Sequence, residues 1–256
     1  MEHLKKTVRN ITFGDGAHYP ICLSFMPKTA EEIRPLSEEY RKAAPDMIEW
    51  RMDHLEDLCD RIRNKELVSV LKTVRECFPE TVLLVTCRTK EEGGNVSICP
   101  ALYTKMVRQI LEEGREETDL LDVEFARKDA AELAKDLAGE DVGLVFSFHD
   151  FSRTPEDEVL EQKLKDMVRE GALIAKIAVM PESEADVERL LNLTRRVDDE
   201  LSGQCLLMTI SMGSLGTVSR IRGKEYGSVF TFAGLTGGTV SAPGQIGIKE
   251  LKDLIR

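Results

Sequence analysis

Lys176 lies in Leu173-Ile174-Ala175-Lys176-Ile177-Ala178-Val179-Met180, a run in which every other side chain is apolar. An ammonium ion is costly to desolvate in such a strand, so burial favours the neutral amine, which attacks carbonyl carbon to form an imine. The ordinary alternative is a lysine that reaches solvent at a sheet edge. His149 closes the run Ser147-Phe148-His149-Asp150-Phe151 and is the one of four histidines at the C-terminal end of an apolar segment. It is the candidate for proton transfer, against the commoner role of a structural histidine. No second His or Cys stands at metal-ligand spacing, so a zinc site is not expected.

Further charged groups sit at the ends of apolar runs. Glu49 and Arg51 alternate with Ile48 and Trp50, so a strand would point both to one side, where they would form a buried pair. Arg88 ends Thr81–Cys87 and leads into Thr89-Lys90-Glu91-Glu92-Gly93-Gly94, a loop freed by its double glycine to fold over the site with Glu92 on it. Arg220, with hydroxyl and amide donors from Ser241-Ala242-Pro243-Gly244-Gln245, is suited to hold a carboxylate, with phosphate as the rival ligand.

Eight strand-like runs must position these groups: 21–25, 47–51, 81–87, 119–125, 142–148, 173–180, 205–211 and 228–234. Helical segments separate them, such as Leu67, Val70, Leu71 and Val74 at i, i+3, i+4, i+7 spacing. Strands apolar almost throughout, alternating with helices, imply a parallel sheet covered on its outside. The expected fold is α/β, a single-domain (β/α)8 (TIM) barrel over 1–256. Residues 6–18 are expected as a strand pair capping the barrel floor, within an N-terminal cap of about 1–18. Barrel sites gather at the C-terminal strand ends, where the charged residues above stand. A doubly wound sheet is the competing topology, but no GxGxxG follows the first strand.

The 256 residues are 42% hydrophobic and 32% charged, with a formal charge of −11 and a pI near 5.0. That charge repels phosphate backbones and anionic lipid, so no nucleic acid or membrane partner is expected, and an anionic ligand must meet locally placed arginines. The N-terminal stretch lacks the apolar run of a signal peptide, and the chain reads as cytoplasmic. Six cysteines without any CxxC pair read as core thiols; Cys87 alone lies near the charged groups, with no base of its own.

Glu-Trp-Arg-Met-Asp at 49–53, the segments 88–94, 147–151 and 175–181, and the loops 211–220 and 241–246 together resemble type I 3-dehydroquinate dehydratase of the shikimate pathway, from about Ser24 to the C-terminus. The resemblance implies a barrel dehydratase, a homodimer without cofactor, that converts the small molecule 3-dehydroquinate to 3-dehydroshikimate through a lysine imine. By the same resemblance Lys176 attacks the ketone, His149 is general acid and base, and Glu92 orients His149. Glu49 and Arg88, with Arg51 beside them, would hold ring hydroxyls; Arg220, Ser241 and Gln245 would bind the carboxylate and close a lid; Ser24 and Met212 would line the pocket. Ile210 departs from the methionine of several relatives, and the loop 235–239 reads as slightly longer than in enterobacterial ones.

Two other readings stay open. A class I aldolase acting on a phosphorylated sugar would share the barrel and the lysine but use a glycine-rich phosphate site, for which Gly237-Gly238 is the candidate. An inactive metabolite-binding barrel would be expected to lack the lysine or the histidine.

Overall fold

The computed structural model describes residues 3–139, 141–201, 203–235 and 241–255. β1 (Lys6–Val8) and β2 (Ile11–Phe13) form an antiparallel pair. Eight parallel strands follow: β3 (Ile21–Phe25), β4 (Met47–Arg51), β5 (Val82–Thr86), β6 (Leu120–Glu124), β7 (Gly143–Asp150), β8 (Ile174–Val179), β9 (Leu206–Ser211) and β10 (Thr231–Ala233). Each bonds to the next in chain order, and β10 returns to lie beside β3. On the β9 side the ring closes through one parallel bridge, Leu207 to Ser228, with Val229 N–H donating to Leu207 O at 2.9 Å. The run 228–234 is therefore divided, its start pairing with β9 and its middle with β3. The (β/α)8 barrel expected from the order of elements is the fold observed.

Alternation along the strands sorts side chains into two cores. Leu23, Phe25, Ile48, Trp50, Val85, Val123, Ile177 and Val179 face outward and pack in one cluster with apolar residues of the surrounding helices. Those helices are α1 (Ile33–Ala43), α2 (Leu58–Asn64), α3 (Leu67–Cys77), α4 (Pro100–Glu113), α5 (Ala130–Leu137), α6 (Asp157–Arg169), α7 (Glu184–Glu200), α8 (Thr217–Arg222) and α9 (Ile248–Leu254). Met47, Val82, Leu84, Leu120, Val145, Ile174 and Leu206 face the lumen near the strand starts and cluster with Ile11 and Phe13 of the β1–β2 pair. That pair is the floor of the barrel, tied to the foot of β6 by Arg9 Nε donating to Asp119 Oδ1 at 2.7 Å. None of the helices described is long and apolar enough to cross a membrane.

Above this apolar floor the lumen changes character. One or two alternations further along the same strands, the buried residues are Ser24, Glu49, Thr86, Asp122, Ser147 and Lys176, then Arg51 and Glu124. A packed floor thus supports a layer of charges at the C-terminal mouth, where barrel sites are built.

Candidate active site

Lys176 stands at the centre of that layer. The β7–β8 register pairs Ser147 with Lys176 and His149 with Ala178, so His149 lies one inward position nearer the mouth than the lysine. Lys176 Nζ is 3.1 Å from Asp122 Oδ2 and 3.5 Å from Glu49 Oε1, with the Phe232 ring centroid at 5.0 Å. Lys176 is buried, as expected from the sequence, but beside it stand two carboxylates that the sequence reading did not place there. Glu49 is itself fixed by Ser24 Oγ at 2.6 Å and Thr86 Oγ1 at 3.1 Å.

Arg88 joins this layer to the next. Its guanidinium donates to Asp122 Oδ1 at 2.8 Å, Glu124 Oε1 at 3.2 Å and Ser147 Oγ at 2.9 Å, and lies 3.4 Å from Glu92 Oε2. Burial works against its charge, but Asp122, Glu92 and Glu124 outweigh it and hold its pKa above the ordinary arginine value. Reciprocally, burial would raise the Asp122 carboxyl, yet Arg88 and Lys176 bring it below its usual range. One buried ion network therefore includes both the lysine and the arginine.

Glu92 is carried by the segment after Arg88. Rather than lying open over the mouth, this segment is pinned, because Thr89 donates through N and Oγ1 to Glu124 at 2.8 and 2.9 Å. Gly93 has φ +80°, and Gly94 packs so closely on the Arg88 carbonyl that any Cβ would collide with it, which accounts for the double glycine. The turn buries Glu92 and sets its Oε2 2.8 Å from His149 Nδ1, leaving Oε1 without a hydrogen bond. Burial, with Glu124 and Asp122 nearby, pushes Glu92 up to about 8. Burial also drives His149 well below the usual imidazole value, helped by Arg88, Lys176 and Arg51. Both directions favour an uncharged imidazole that can accept a proton. The Phe151 ring stacks 6.4 Å from His149 on its mouth side.

Arg220 is different in kind. It is 1% exposed, and among the described residues its hydrogen bonds go only to backbone, to Phe232 O at 3.4 Å and Pro243 O at 3.2 Å. Its Nε has no partner, no ion pair to it is formed among the described residues, and burial lowers its pKa to about 10. Ser241 Oγ donates to Ser24 Oγ at 2.8 Å and accepts from Gln245 Nε2 at 2.9 Å. Between these groups lies a cleft lined by Lys176, His149, Glu49, Arg88, Glu92 and Arg220 among others. A buried amine, an imidazole and a guanidinium thus face one cleft. Among the described residues no group of three or more His, Cys, Asp or Glu is arranged to hold a metal ion.

The family model described as type I 3-dehydroquinase matches residues 21–256. The chain belongs to that family. It is 34% identical over 253 residues to the 3-dehydroquinate dehydratase of Listeria innocua, covering 98% of this chain and 96% of that one. To the enzyme of the same name from Klebsiella pneumoniae it is 36% identical over 251 residues, 97% and 96% of the two chains. Among solved structures, 3-dehydroquinate dehydratase from Geobacillus kaustophilus matches with a TM-score of 0.89 at 33% identity, covering 98% of this chain and 95% of that one. The type I enzyme from Clostridium difficile, solved with covalently modified comenic acid, matches with a TM-score of 0.89 at 35% identity, covering all of this chain and 97% of that one.

In this type I 3-dehydroquinase chain, every residue to which the resemblance gives a site role, except Ser24, lines the cleft: Lys176, His149, Glu92, Glu49, Arg51, Arg88, Met212, Arg220, Ser241 and Gln245. Ser24 sits behind, bracing Glu49 and Ser241. The expected Glu49–Arg51 pair does not form: Arg51 makes two 2.8 Å bonds to Asp53, a turn residue two positions past its strand, while Glu49 turns to Lys176. The departure Ile210 lies in the cleft wall. Of the loop 235–239, residues 236–239 and with them Gly237 and Gly238 lie outside the described residues. Cys87 is buried, and burial raises its thiol well above the usual range. The sequence reading missed Asp122, Glu124 and Asp53. Asp122 and Glu124 alternate in β6 with buried Leu121 and Val123, the same signal that marked Glu49 and Arg51.

Proposed function

We propose that this chain is a 3-dehydroquinate dehydratase that releases 3-dehydroshikimate and water through an imine on Lys176. The observation that carries the reading is the one cleft in which Lys176, the His149–Glu92 pair and the unpaired Arg220 converge. Arg220, with Ser241 and Gln245 beside it, takes the substrate carboxylate, and the ring is thereby held over Lys176. A proton leaves Lys176, for which Asp122 Oδ2 and Glu49 Oε1 are the acceptors in reach. The neutral amine adds to the C3 ketone, and loss of water gives the iminium.

The iminium acidifies the neighbouring C2 hydrogen, and uncharged His149 removes it to leave an enamine. Electrons returning from nitrogen expel the C1 hydroxyl, which takes a proton from His149 and departs as water. Water then adds to the conjugated imine, freeing the enone and the Lys176 amine. Glu92, at His149 Nδ1, orients the imidazole through the two transfers. Glu49 and Arg88 reach the cleft where the ring hydroxyls would lie, and Arg51, Met212 and Ile210 complete its wall. A homodimer without cofactor, in the cytoplasm, goes with this reading.

Incubation with 3-dehydroquinate under ultraviolet detection tests it. Enone absorbance should rise with enzyme concentration in metal-free buffer; folded protein that produces none, at any pH between 6 and 9, contradicts the assignment.

A further inference from the structure

Asp53 follows β4 in a short 3-10 turn, Met52–His54, and its side chain is fully buried. It is not part of the cleft wall. Its two oxygens accept four hydrogen bonds. Oδ1 takes Arg51 Nε at 2.8 Å and the Arg88 amide at 3.2 Å; Oδ2 takes Arg51 Nη2 at 2.8 Å and the Asn95 amide at 3.2 Å. Arg88 and Asn95 bracket the segment that carries Glu92, and Arg51 lies in the cleft wall. A single carboxylate therefore binds both ends of the Glu92 segment and aims one cleft arginine. Glu124 holds the same segment through Thr89, but only at its start.

We propose that Asp53 is a positioning residue whose carboxylate clamps both ends of the segment 88–95 and so sets Glu92 against His149. The inference rests on the reading of Glu92 and His149 as the proton-transfer pair. The four donors require an acceptor at both oxygens, which an amide in place of the carboxylate cannot provide. Losing the clamp lets Glu92 drift from Nδ1, and misplacement by about 1 Å in a proton-transfer constellation costs on the order of 10²-fold in rate.

A double-mutant cycle separates this from general weakening of the fold. Steady-state dehydration is measured for the full-length protein, Asp53→Asn, Glu92→Gln and the double variant. Asp53→Asn should lower kcat about 10- to 100-fold in the native background and less than about threefold once Glu92 is Gln. An equal factor in both backgrounds overturns the proposal. If Glu92→Gln leaves kcat unchanged, the reading of Glu92 fails, and with it the positioning role. Hydrogen exchange of the unaltered protein tests the clamp whether or not the variants fold: the Asn95 amide should exchange at least about 100-fold more slowly than in an unstructured peptide. Exchange at the peptide rate removes the clamp itself.

Discussion

Asp122 Oδ2 stands 3.1 Å from Lys176 Nζ while Asp122 Oδ1 stands 2.8 Å from Arg88 Nη2. One carboxylate thus couples Lys176 to the arginine that gathers Glu124 and Glu92. Asp122→Asn keeps the shape and removes the charge, leaving buried cations undercompensated. Removing one partner of a buried pair typically costs about 3–5 kcal/mol. Urea denaturation should show a loss of that order, and an unchanged midpoint would refute the coupling.

Arg220 leads to the opposite expectation. Its charge is buried without an ionic partner among the described residues, so Arg220→Met should leave the unliganded protein at least as resistant to heat as before. Substrate binding should suffer, with KM rising about 10- to 100-fold for a hydrogen-bonded charge worth about 1.5–3 kcal/mol. Scanning calorimetry and steady-state kinetics on one preparation check both halves. A lower Tm with unchanged KM would make Arg220 a structural residue.

Glu92 gives a pH dependence with a defined sign. Its carboxyl is raised from 4.5 to about 8 on folding. The stability it contributes is full below pH 4.5 and is lost as pH rises toward 8, since the unfolded chain ionises first. Glu92→Gln cannot ionise, so the Tm of the variant should gain on that of the native protein as pH is raised from 5 to 8. The depressed His149 contributes with the opposite sign but is present in both proteins. A Tm difference that does not change with pH would contradict the raised carboxyl.

His149→Ala should separate the steps. Lys176 keeps its carboxylates, so an imine still forms slowly, whereas proton removal at C2 and protonation of the leaving hydroxyl lose their carrier. General acid–base catalysis is worth about 10²- to 10⁴-fold, and kcat should fall in that range. Rapid-quench mass analysis should find the substrate adduct accumulating. Turnover near the native rate would assign the proton transfers elsewhere.

The barrel could be read from the chain because its strands are short apolar runs with helices between them, and seven of the eight lie within two residues of their expected bounds. The eighth, at 228–234, is divided between two neighbours, a matter of ring closure that local pattern does not carry. α2 (Leu58–Asn64) escaped because one charged, two-turn helix shows little periodicity. In the site, Lys176 and His149 were legible as polar residues in apolar strands. Asp122 and Glu124 carry that signal too, but without a visible partner they read as ordinary acids. Arg51 was given to Glu49, on the same face, because the sequence cannot show that a turn past the strand folds Asp53 back onto it. Partner choice among buried charges is set by packing across the barrel.

The most direct test of the central claim is borohydride reduction in the presence of 3-dehydroquinate, followed by intact-protein mass spectrometry and peptide mapping. The account predicts a single reduced adduct on Lys176, absent from Lys176→Ala along with nearly all turnover. An adduct on another lysine, or full dehydration with no adduct and with Lys176 replaced, would contradict it.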